Sequence, residues 1–249
     1  MPTATSFRLA WLPVIGVSGL AVAVAFLGVA ALRPWGADMT DLPSMTPRPV
    51  VMSDGSAFYA QIHEVTTGEW NRCADAGACK LRLRPPSGQT DTSWPATGLS
   101  LIDVTEYLKW LNETSGHEFR LPTRAEWRRM AADVLPDAPD PIFTDPNLTW
   151  ASSYLVEGLV DRRLRPSGSW SESPEGVVDL DGNVWEWTQD CFRGEGFARG
   201  ARCAAYHVGG EHDAVIPYLV RDPARGGCAV GSPPAHLGFR LVSDDPPPF

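Results

Sequence analysis

The chain carries no surplus of positive charge. Its 30 acidic residues outnumber its 21 lysines and arginines, giving a formal net charge of -9 and a pI of about 5.0. Phosphate binding needs a basic footprint, so the balance argues against nucleic acid as a partner. No internal repeat is visible, which sets repeat architectures aside. Histidine is scarce, with five in all and no His-x-x-x-His spacing, so the pattern for a helix-borne iron or zinc centre is missing. What the chain does have is length and apolar content: 249 residues, 43% hydrophobic, enough for one large domain or two small ones. Its 23 glycines, 23 prolines and 10 tryptophans suit a loop-rich, irregular fold better than a helical bundle.

Charge is also missing from Leu9 to Leu32, an uncharged, mostly apolar run of 24 residues between Arg8 and Arg33. About 20 such residues suffice to cross a bilayer as a helix. The competing reading is a cleaved signal peptide with Val29-Ala30-Ala31 at the cleavage region. The run exceeds a usual signal-peptide core, which favours an uncleaved anchor over residues 1–33 with the N-terminus inside and the bulk exported. Residues 34–50 hold four prolines and read as an extended linker. The folded domain is expected over 51–242 and a disordered tail over 243–249. The expected location is the inner membrane, single-pass through residues 9–32, with the domain in the periplasm.

Export gives meaning to the five cysteines. Cys73 and Cys79 are six apart, and Cys191 and Cys203 bracket a Gly/Arg-rich loop, so both pairs read as loop-closing disulfides. Cys228 is left over, either a buried structural thiol or a free reactive one. Ala57 to Ile62 is strand-like. Thr66 or Thr67 caps a helix leading to Cys73. Leu101 to Thr114 has its apolar residues at helical spacing, with Gly116 as the stop. Thr123 and Glu126 form a capping box, and Arg120, Glu126 and Trp127 read as a helix anchored by an ion pair and an aromatic.

The densest segment is Asp179-Leu-Asp-Gly-Asn-Val-Trp-Glu-Trp187, with two acids, a Gly-Asn turn and two tryptophans around Glu186. Gly182 and Asn183 tolerate the positive φ of a tight turn. The alternation of Val184 and Glu186 against Trp185 and Trp187 is that of a strand.

Five segments, in order, resemble the formylglycine-generating, sulfatase-modifying-factor family: Glu64-Val-Thr, Arg120-Leu-Pro-Thr-Arg-Ala-Glu-Trp127, Gly182-Asn-Val-Trp-Glu-Trp187, Gly209-Gly210 and Gly238-Phe-Arg240. The resemblance spans about residues 52–242. It implies an α+β, C-type-lectin-like fold with much irregular structure, here preceded by one transmembrane helix. It also implies a calcium site at positions matching Asp179, Gly182, Val184 and Glu186. The alternative is that Glu186 pairs with an arginine such as Arg240 and no ion binds.

Family members with the defining activity use oxygen and copper held by two cysteines to oxidise a substrate cysteine to formylglycine. Those cysteines follow an Arg-Gly-Gly-Ser segment, whose Arg and Ser positions are His207 and Glu211 here. The two cysteine positions fall on Ala214 and Leu219. A thiolate pair selects Cu(I), and neither side chain replaces it. His207, Glu211, His212 and Asp213 form a polar segment that is either a solvated loop or, folded back, a set of ligands for another metal. The expectation is a binding or accessory maturation factor without formylglycine-generating activity, partnered with an exported or membrane protein. The alternatives are an oxidoreductase acting on a protein or small molecule, and a formylglycine generator that recruits Cys228.

Overall fold

The computed structural model describes residues 42–86, 89–135, 163–193, 203–211, 214–225 and 234–246. The expected anchor at residues 9–32 lies outside them. Among the described residues no helix is long and apolar enough to cross a membrane.

Three helices form where the local signals put them. They are α1 (Thr67–Asp75), α2 (Leu101–Ser115) and α3 (Arg124–Ala131). Each begins with a capping box: Thr66 with Glu69, Ser100 with Asp103, and Thr123 with Glu126. The cap hydroxyl accepts a backbone N–H that the helix cannot satisfy, and the acid returns the bond to the cap's own N–H. Helix α2 stops at Gly116, whose φ of 68° is the left-handed value glycine adopts without strain. Arg120 donates to both oxygens of Glu126 at 2.8 and 2.7 Å, so the expected ion-pair anchor of α3 forms. Burial alone would raise the Glu126 pKa, but Arg120 and the cap N–H hold it below the ordinary value.

Two sheets complete a mixed α+β fold. Strands β1 (Val50–Val51), β2 (Ala57–Ala60) and β7 (Val242–Ser243) form an antiparallel sheet in the order β1-β2-β7. Strands β3 (Trp185–Cys191), β4 (Ala205–Gly209), β5 (Ala214–Pro217) and β6 (Leu237–Gly238) form the second, in the order β5-β4-β3-β6. Its β3–β6 pair is parallel and the others antiparallel. The larger core gathers around Trp70, which stacks on Tyr107 at 5.5 Å, with Phe239 edge-on to both. The alternation in β3 does not leave one face wet: Glu186, Trp187 and Thr188 are all buried.

Both expected domain boundaries move outward. Residues 42–50 are not all linker: Thr46 donates its N–H to Ala60 O at 2.7 Å, Met45 bridges Gln61, and Val50 pairs with Phe58. Unpaired backbone beside a sheet edge is costly, and these residues supply the partners. At the other end Ser243 is buried in β7 and Asp244 pairs with Arg120, so the expected tail starts inside the fold. Both expected disulfides form, Cys73–Cys79 behind α1 and Cys191–Cys203 between the end of β3 and the approach to β4.

Candidate functional site

Three of the sequence motifs meet in one row of the second sheet. Glu186 on β3 stands opposite Gly209 on β4 and Gly238 on β6. Gly209 leaves room for the Trp127 indole that reaches the carboxylate, while Gly238 makes room for Val184 and the Ala96 carbonyl. Arg240 donates through Nε to Oε1 and Oε2 at 3.0 and 2.9 Å, and through Nη2 to Oε1 at 2.8 Å. Trp127 Nε1 of α3 donates to Oε2 at 2.9 Å. The same guanidinium reaches the carbonyls of Gln61, Ile62 and Val178 at 3.1, 3.0 and 2.9 Å. Glu186 and Arg240 are both 0% exposed, so this pair is fully desolvated. Burial works against the Arg240 charge, but the Glu186 carboxylate, with Glu64 and Asp179 beyond it, raises the guanidinium pKa.

The loop before β3 is a clamp. Asp179 adopts φ of 66° and accepts the N–H of Gly168 and, at 2.8 Å, that of Trp170. Asp181 accepts the N–H of Ser171 at 3.0 Å, and Asn183 accepts that of Arg165 at 3.0 Å. The positive φ expected at Asn183 is present, at 64°, whereas Gly182 is required for a different reason. A Cβ there would stand 2.4 Å from the indole of Trp170.

These contacts test the calcium positions. A hard cation needs oxygens free to turn toward it. The Asp179 and Glu186 carboxylates instead accept from backbone amides, a guanidinium and an indole N–H. Both carboxylates of the expected set are thus taken up by protein donors in this structure. The alternative pairing of Glu186 with Arg240 is the one formed.

Glu64 is the unusual neighbour. It is completely buried, and neither carboxylate oxygen has a hydrogen-bond partner among the described residues. Burial pushes its pKa well above 4.5, Arg240 pulls it down, and Asp179 and Glu186 push it up. A raised folded pKa means that the native state keeps a proton the unfolded state has released. Stability therefore falls as pH climbs from 4.5 toward the folded value. Glu64→Gln, which cannot ionise, is expected to match the parent below that window, to exceed it increasingly through the window, and to keep a constant advantage above it. Melting temperatures of both proteins against pH are the check, and parallel curves would sink the idea.

The positions matching the family's cysteines come apart in character. Ala214 opens β5, pairs with Val208 and is fully buried in the main core. Leu219 lies past the end of β5 and is 61% exposed. A methyl and an isobutyl group do not fit a copper ion that is selected by thiolates. Cys228, His212 and Asp213 lie outside the described residues. His207 stands in β4 opposite Val215, its carbonyl accepting the Thr188 hydroxyl at 2.7 Å, and its ring meets Phe192 edge-on. It borders a cleft of about 430 Å³ with Arg124, Arg128, Asp190 and Cys191. Glu211 is exposed beyond β4. Among the described residues, no group of three or more His, Cys, Asp or Glu is placed to hold a metal.

Two roles were not visible in the sequence. Gly209 and Gly210 are seats for aromatics: a Cβ on either would stand 2.2 Å from the indole of Trp127 or Trp185, respectively. Arg221 grips both oxygens of Asp103 at 2.8 Å, tying the segment after β5 to the start of α2. The Ser100-x-x-Asp103 cap was the only local sign of the second.

The chain is similar to several solved structures. PvdO from Pseudomonas aeruginosa is 21% identical, with 76% of this chain and 80% of that one aligned and a TM-score of 0.48. CarF is 20% identical over 75% of this chain and 86% of its own, with a TM-score of 0.47. Treponema denticola variable protein 1 is 17% identical over 82% and 94%, also with a TM-score of 0.47. No curated protein sequence matches the chain significantly. The family model described as the sulfatase-modifying factor enzyme 1-like domain matches residues 34–245, and the chain belongs to that family.

Proposed function

We propose that this chain is an exported, membrane-anchored family member without formylglycine-generating activity, acting as a binding or accessory factor in the maturation of an exported protein. The observation that carries the reading is the pair Ala214 and Leu219. One is sealed in the core and the other is on the surface, and neither offers a thiolate to bind copper or exchange with a substrate cysteine. Burial of Ala214 against Val208 and the main core also means that the position is now used for packing. The uncharged run at residues 9–32 and the two disulfides support export and anchoring.

The test is direct. The full-length protein is incubated with copper, oxygen, a thiol reductant and a sulfatase-type cysteine peptide, and formylglycine is read by mass spectrometry. No conversion above the protein-free control is expected. Turnover that survives Cys228→Ser would sink the reading outright, and turnover lost in that variant would assign the chemistry to Cys228.

A further inference from the structure

A second cleft, of about 500 Å³, is lined by none of the residues of the Glu186–Arg240 pair or of the Ala214–Leu219 segment. Arg84, Arg163 and His236 border it together with the apolar Leu83, Leu164 and Pro95. Its volume is in the range of sites that enclose a small organic ligand, about 300–1,000 Å³. Two guanidiniums and an imidazole around one apolar depression stand out on a chain with a net charge of -9.

Its walls are fixed by contacts that serve no evident catalytic purpose. The 81–84 segment is tied to α1: Trp70 Nε1 donates to Leu81 O at 2.8 Å, and the Asn71 side chain makes two bonds to the Leu83 backbone at 2.9 and 3.0 Å. The wall carrying Arg163 and Leu164 is held where Asn183 Oδ1 accepts Arg165 N–H and Ser93 O accepts Ser167 N–H, both at 3.0 Å. The third wall is pinned where the carbonyl of His236 accepts Trp185 N–H at 3.0 Å. Two of these anchors, Asn183 and Trp185, belong to the Asp179–Trp187 motif. A rigid cleft binds without an ordering cost, which is what a small ligand with few contacts needs.

We propose that this cleft binds a small organic anion: an oxyanion headgroup facing Arg84, Arg163 and His236, carried on an apolar body that covers Leu83, Leu164 and Pro95. The inference builds on the binding reading above and names the ligand class. Its test reads binding, not turnover, so it and the formylglycine assay fail independently.

The experiment is calorimetric titration of the full-length protein with 2-naphthoate and with naphthalene-2-carboxamide, the uncharged analogue of the same shape. One saturable site for the anion is expected, with binding at least about tenfold tighter than for the amide, since a charge-assisted hydrogen bond contributes that much or more. Arg84→Gln and Arg163→Gln each change an exposed residue and should leave the fold intact. Each is expected to weaken naphthoate about tenfold and the amide little. Equal affinity for the two probes, indifference to both substitutions, or no saturable naphthoate binding would overturn the proposal.

Discussion

Arg240→Met is expected to lower the unfolding free energy by about 3–5 kcal/mol, the range seen when one partner of a buried ion pair is removed. Three separate losses point the same way. Glu186 is left in a solvent-excluded site and retains only the Trp127 N–H as a donor from the present set. The carbonyls of Gln61, Ile62 and Val178 lose the guanidinium N–H groups that reach them. An unsatisfied buried acceptor costs about 1–3 kcal/mol, though such losses overlap and do not simply add. The anchoring between segments is lost as well, because those carbonyls come from the end of β2 and from the loop before β3, while Arg240 itself precedes β7.

Arg240→Lys keeps the charge but not the planar fork, and it should recover only part of the loss. The double variant Arg240→Met with Glu186→Gln removes both charges and should be less damaged than the sum of the single changes. Denaturant unfolding followed by circular dichroism measures the parent, Arg240→Met, Arg240→Lys, Glu186→Gln and the double variant. A loss below about 1 kcal/mol for Arg240→Met would show that the pair is not the keystone drawn here.

Much of this arrangement was legible because its causes are local. The Thr66 and Thr123 caps, the helix from Leu101 and its stop at Gly116 follow from side chains within four residues of the backbone groups they satisfy. Cys73 and Cys79 are close enough in sequence to pair across one loop. The parts that were not legible depend on distant partners. For Glu186 the sequence left two readings open, a metal ligand by family position and a partner for Arg240, because a pairing across 54 residues cannot be settled locally. Val50 looked like linker because its partner Phe58 becomes visible only once β2 is placed against it. The second cleft draws on residues near 84, 163 and 236, and no window of sequence contains all three walls. The family's five motifs identify the fold well because three of them form one row of the sheet. They say little about activity, because that row is scaffold.

Gly209→Ala tests whether the row is as tightly packed as its contacts imply. A Cβ at Gly209 would lie 2.2, 2.4 and 2.5 Å from Cδ2, Cε2 and Cγ of Trp127, far inside van der Waals contact. The indole cannot swing away freely, because Nε1 is bonded to Glu186 and the side chain is buried at 2% exposure. The sheet cannot easily retreat either, since Gly209 pairs with Glu186 in the register. Overpacking typically costs about 1–3 kcal/mol, and with both neighbours held the expected loss is at the top of that range. Gly210→Ala meets Trp185 at the same 2.2 Å, but Trp185 is only partly buried, whereas Trp127 is 2% exposed, so a smaller loss is expected there. In a Trp127→Leu background the obstacle is gone. The alanine at 209 should then add less than about 1 kcal/mol, a strongly non-additive pair. Equal costs for Gly209→Ala in the two backgrounds would mean that the glycine is needed for its backbone and not as a seat for the indole that holds Glu186.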